Sequence, residues 1–139
     1  MAGNLKPVLG AAAILAAAGC EKPPPPFGAR IDGPYMLASE SLGDGRGIAI
    51  CYRKPDGDCV SRVPSPVVRL GWDEDFISAA VGNAGDPGAL KYYYIVRDFD
   101  GPRADKERVV RGFFSEAGFI EERRKHGVPG VAPITIRAD

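Results

Sequence analysis

The sequence predicts an α+β fold: an antiparallel meander of about five strands with a C-terminal helix packed on one face. Three observations lead there. Residues 47–53 alternate Ile48, Ile50 and Tyr52 against Ala49, Cys51 and Arg53, the period of two that marks a half-buried strand. Residues 90–97 carry Tyr92, Tyr93 and Tyr94 followed by Ile95 and Val96, types that suit a pleated surface. Ser115, the run 116–126, then Gly127 and Pro129 supply the start and stop signals of a helix.

The other elements follow in order. Residues 34–39 form a short strand and 42–46 a turn around Gly43-Asp44-Gly45. After the strand at 47–53, Lys54-Pro55-Asp56-Gly57 is a turn in which Pro presets φ and Gly accepts a positive φ, and residues 59–63 return as its partner strand. Pro64 and Pro66 mark a break or an edge. Short strands are expected at 67–71 and 76–81, joined by a turn at Trp72-Asp73-Glu74-Asp75. Residues 82–88 are a loop. Val109, Val110, Phe113, Phe114 and Ala117 fall at helical spacing, so helix is expected across the last third, as one kinked element or two. Residues 134–137 suggest a final short strand.

The 139 residues bound the chain to one domain with appendages. Eighteen basic and eighteen acidic residues balance, against the basic excess of a dedicated nucleic-acid binder. Gly and Pro together make up 31 residues, which implies many turns.

The N-terminus reads as an address. Lys6 is followed by an uncharged stretch from Pro7 to Gly19, too short for a spanning helix and laid out like a secretory signal. Its end, Ala17-Ala18-Gly19-Cys20, resembles the lipobox of bacterial lipoproteins, with Ala17 where that family usually has Leu. The resemblance implies cleavage before Cys20, acylation of Cys20 and attachment to the membrane through that lipid. A plain secretory signal cut at an Ala-rich site is the alternative. Glu21, where Asp would favour the inner membrane in that family, implies the outer membrane, facing the periplasm. The four prolines at 23–26 favour extended polyproline II, so 21–29 would span roughly 28 Å. The organisation expected is therefore a signal at 1–19, lipidated cysteine and spacer at 20–29, and one domain at 30–139.

The middle of the domain, Val67-x-x-Leu70-Gly71-Trp72-Asp73, then Phe76-Ile77 and Tyr92-Tyr93-Tyr94-Ile95-Val96, resembles a pattern in small bacterial lipoproteins of unknown function. That family has no established catalytic residues to carry over.

Within the domain, Cys51 and Cys59 flank the hairpin turn, and an exported protein meets an oxidising compartment, so a disulfide is expected. A loop of five residues, 53–57, would set them directly opposite each other; one of three, 55–57, would leave them diagonal. The wider loop is the expectation. His126, the sole histidine, is read as a helix C-terminal residue. Asp73, Glu74 and Asp75, and Asp98 with Asp100, are oxygen donors of the kind calcium uses, but they match no EF-hand loop and read as solvated turns. The basic residues Arg103, Lys106, Arg108, Arg111, Arg123, Arg124 and Lys125 are interleaved with acids and read as a mixed-charge helical surface. No cofactor, metal or catalytic residue is predicted. Trp72, Tyr92 and Tyr94 are candidates for a partner surface, since aromatics are enriched at interfaces; the packed core is the competing place for the tyrosines. The function expected is a lipid-anchored, non-enzymatic binding module for a protein or envelope partner, an immunity-type inhibitor being one version. The alternative is a small envelope hydrolase using carboxylates.

Overall fold

The computed structural model describes residues 28–42 and 45–134. Cys20, the signal and the prolines lie outside the described residues. So do residues 135–137 of the expected last strand.

The fold is α+β, built from two antiparallel sheets and one long helix. The first sheet has the order β1-β2-β3-β4, with β1 Gly28–Asp32, β2 Tyr35–Leu42, β3 Gly45–Arg53 and β4 Cys59–Val63. The second has the order β8-β7-β6-β5-β9, with β5 Val67–Trp72, β6 Phe76–Val81, β7 Lys91–Val96, β8 Val110–Phe114 and β9 Ala132–Pro133. A one-turn helix, α1 Lys106–Val109, precedes β8, and α2 Glu116–His126 follows it. The segment Pro64–Pro66 is where the chain leaves one sheet for the other. β1 starts inside the expected spacer, two residues before the expected domain boundary.

The layers follow from alternation along β6 and β7. Ile77, Ala79, Val81 and Ile95 face the first sheet and join Tyr35, Leu37, Ile50 and Val63 in one core. Ala80, Tyr92 and Tyr94 face the other way and pack with Phe119 of α2 and with Val128. β6 is thus covered on both sides, and its Ile77, Ser78, Ala79 and Ala80 are fully buried. Ile50, Ile77 and Ile95 lose all their exposure, each burial stabilising the fold by about 1.5–3 kcal/mol.

The α2 ends are as expected. The Ser115 hydroxyl accepts the Gly118 N–H at 3.1 Å, satisfying an N-terminal donor, and Gly127 closes the helix at φ 75°. The helix expected across 109–117 is corrected: Val110–Phe114 is a strand at the edge of the second sheet, so Val109 ends α1 and Ala117 falls in α2 on the far side of it. Four backbone pairings to β7 outweigh the apolar spacing.

The hairpin between β3 and β4 carries the disulfide Cys51–Cys59, with a Cα separation of 5.4 Å. The wider loop expected for it is corrected. Gly57 donates to the Lys54 carbonyl at 2.9 Å and sits at φ 100°, a β-turn over Lys54–Gly57 that ends on a glycine at positive φ, and Lys54 donates to the Asp58 carbonyl at 2.7 Å. That is the three-residue hairpin loop. Arg53 therefore pairs with Cys59, and Cys51 with Ser61. The cysteines are diagonal neighbours, and the right-handed twist of the ribbon shortens one diagonal enough for a bond. Closing eight residues contributes about 2.5 kcal/mol on the chain-entropy account.

Candidate functional site

Antiparallel connectivity brings the β5–β6 turn and the β7–β8 connection to one end of the second sheet. The first is short and acidic. Asp73 accepts the Asp75 and Phe76 N–H groups on its Oδ1 at 2.9 and 2.8 Å, which fixes the turn and leaves Glu74 at its tip. Trp72, just before it, is 47 % exposed. The second is longer. It runs through a 3₁₀ turn, Arg97–Phe99, and on to α1. Phe99 is 59 % exposed, and the Arg111 guanidinium lies 5.8 Å from its ring centre. An open depression of about 380 Å³ lined by Phe99, Glu107, Arg108 and Arg111 adjoins a second, lined by Phe99, Arg103, Ala104, Asp105 and Arg108.

Arg97 ties the two connections together. Its N–H donates to the Asp75 carbonyl at 3.0 Å and its Nη1 to the Asp73 carbonyl at 2.6 Å, while Nη1 also pairs with Asp32 at 2.8 Å.

Next to Phe99 in the chain, at Asp100, the connection is anchored by a buried ion pair. The Asp100 carboxylate accepts Arg62 Nη2 at 2.8 Å and Arg62 Nε at 3.0 Å, the Tyr35 hydroxyl at 2.9 Å and the Gly101 N–H at 2.8 Å. The Arg62 and Asp100 side chains are 3 % and 1 % exposed. The expectation of a solvated turn at Asp100 is thereby corrected: its carboxylate belongs to a network joining the first sheet to the β7–β8 connection. Asp98 remains exposed. Sequence reasoning missed Arg62 and Tyr35. The only trace of Arg62 is a cation inside a five-residue strand.

Tyr92 and Tyr94 are corrected as surface candidates: at 2 % and 4 % exposure they lie under α2. Tyr92 stacks on Phe119, and the Tyr94 hydroxyl donates to Glu122 at 2.6 Å. Trp72 alone of the three is available to a partner. Cys51 is buried and Cys59 exposed, and both are committed to their disulfide. His126 ends α2, 3.9 Å from Glu122. Among the described residues no group of three or more His, Cys, Asp and Glu is placed to hold a metal ion. Among them, too, no helix is long and apolar enough to cross a membrane.

Two phenols give the domain an alkaline limit. Burial, then the hydrogen bond to Glu122 and its charge, push Tyr94 up to about 12. Burial and the Asp100 charge push Tyr35 well above the tyrosine range. Both folded values exceed the unfolded one, so the native state holds protons that the unfolded chain gives up. The stabilisation is complete below the unfolded value near 10 and is lost as pH rises toward the folded values. Urea unfolding between pH 8 and 11.5 should show stability falling above pH 10, by up to about 1.4 kcal/mol per pH unit for each phenol. Tyr94→Phe should flatten that slope. An unchanged slope in the variant would remove Tyr94 as a source.

No family model, no curated protein and no solved structure matches the chain.

Proposed function

We propose that the protein is a lipid-anchored, periplasm-facing protein of the outer membrane, and that its domain is a non-enzymatic binding module for a protein or envelope component. An immunity-type inhibitor would be one such module. The observation that carries the binding reading is the end of the second sheet. Trp72 and Phe99 stand exposed there on turns braced by hydrogen bonds, the second one residue before Asp100 of the buried Arg62–Asp100 pair. Rigidly held aromatics beside arginines are the residue types that dominate binding energy at interfaces. Ala17-Ala18-Gly19-Cys20 supports the anchor. The Cys51–Cys59 disulfide suits an oxidising compartment.

The anchor is tested by Cys20→Ser in the full chain. Acyl labelling should disappear and the protein should leave the membrane fraction. A variant that stays membrane-bound, beside a wild type that takes up no labelled lipid, overturns the lipid anchor. The binding reading is tested by capture from envelope extracts with the full chain, compared with Trp72→Ala and Phe99→Ala. Loss of the captured species in both variants, with melting unchanged, is the expected outcome.

A further inference from the structure

We propose that the exposed end of the second sheet is a two-fold interface that docks a second copy of this chain. The inference rests on the binding-module reading of the same surface and names its partner.

The end carries two complementary halves side by side. One half is Trp72 with the acidic turn Asp73-Glu74-Asp75, every residue of it exposed. The other is Phe99 with the connection 103–111, which holds four basic residues, Arg103, Lys106, Arg108 and Arg111, against two acids. Among the described residues, Glu74, Arg103, Lys106 and Arg108 have no ion-pair partner within their own chain. The carboxylates and guanidiniums that do pair nearby, Asp100 with Arg62 and Asp32 with Arg97, are used in holding the two connections in place.

A face with charge of both signs in separate halves is self-complementary, which is what an isologous contact needs. A two-fold axis between the halves sets the acidic turn of one copy against the basic connection of the other, and repeats the contact in reverse. It also brings each Trp72 to the partner's unpaired arginines, where an indole face attracts a guanidinium. A foreign partner would have to reproduce both signs at the same spacing; a second copy has them by construction. At the opposite end of the sheet, the β6–β7 loop 82–90 has only Asp86 as a charge and carries no basic residue to complement it.

Charge reversal tests this without touching the core. Native mass spectrometry and sedimentation of the full chain in detergent should show a dimer that forms with concentration and weakens as salt rises from about 50 to 500 mM, because rim charges are screened. Glu74→Lys sets lysine against arginine, and Arg108→Glu sets glutamate against glutamate. Each alone should weaken the dimer by about tenfold or more, with melting unchanged. An equimolar mixture of the two variants restores both contacts and should form a heterodimer as tight as wild type. A wild type that stays monomeric up to about 1 mM overturns the inference. So does a dimer that both variants retain, or a mixture that fails to recover it. A monomer that still captures an envelope partner through Trp72 would overturn the two-fold interface and leave the binding module standing.

Discussion

Asp100→Ala should destabilise the domain by about 3–5 kcal/mol, because it leaves the Arg62 guanidinium buried and without a counter-charge. The Arg62 side chain is 3 % exposed, so water does not take over the role of the counter-charge. Its remaining polar contacts are carbonyls, Ser61 at 3.1 Å and Gly101 at 3.4 Å, which cannot neutralise it. The Tyr35 hydroxyl loses its acceptor in the same step. The loss is a large part of the roughly 5–15 kcal/mol that holds a domain. The decisive comparison is the double variant Arg62→Met, Asp100→Leu. Removing both charges and filling the volume should recover the part of the loss that comes from the orphaned cation, while the Tyr35 hydroxyl stays without its acceptor. Urea unfolding followed by far-ultraviolet circular dichroism measures all three. A single-variant loss below about 1 kcal/mol would mean that the network does not hold the β7–β8 connection to the first sheet. In Asp100→Ala, Phe99, one residue away, should also become more mobile, which ties the stability of this pair to the proposed interface.

The elements legible in the sequence are those whose signals are local. β4 and β6 have the bounds expected of them, Cys59–Val63 and Phe76–Val81, because Gly57, the Asp73–Asp75 turn and Gly82 punctuate them. The Ser115 cap and the Gly127 stop depend on neighbouring backbone groups only. What was not legible depends on distant partners. Val110–Phe114 carries helix spacing, yet becomes a strand because β7 offers it a ladder. β1 has Ile31 as its one large apolar residue, and only its pairing with β2 makes it a strand. Arg62 finds its carboxylate 38 residues along the chain, and no spacing announces that. The hairpin width turns on Gly57: its place in the turn is legible, but the narrower of two permitted loops follows from its left-handed φ. For the candidate site, Trp72 and the acidic turn stood out singly. Their place beside Phe99 and the arginines is a product of strand order. Tyr92 and Tyr94 lost their surface role because a helix packs over their face of β7.

Gly71→Ala should be the most damaging single methyl in the domain. Gly71 lies on β5 where the chain after α2 crosses the sheet. A Cβ there would overlap the Gly130 carbonyl oxygen, and would stand 3.0 Å from the Gly130 carbonyl carbon and 3.2 Å from Ser78 Oγ. The obstructing atoms are mostly backbone, so no side chain can swing away. The segment has to lift instead. Lifting it breaks the 2.7 Å hydrogen bond from the Ser78 hydroxyl to the Pro129 carbonyl and leaves the buried hydroxyl only the 3.4 Å contact to the Gly71 carbonyl, at about 1–3 kcal/mol. It also loosens Arg123, whose Nε donates to the Val128 carbonyl at 3.1 Å, and exposes Val128, now 2 % accessible, for about another 1.5–3 kcal/mol. The expected total is about 3–5 kcal/mol. Gly101→Ala is the control, since nothing lies within 4 Å of a Cβ there, and it should change stability by less than about 0.5 kcal/mol. Hydrogen exchange separates a local from a global effect: the amides of α2 and of residues 127–131 should lose protection before those of the first sheet. If Gly71→Ala melts within about 0.5 kcal/mol of wild type, residues 128–131 do not cross β5 at this point, and the packing of α2 on the second sheet has to be redrawn.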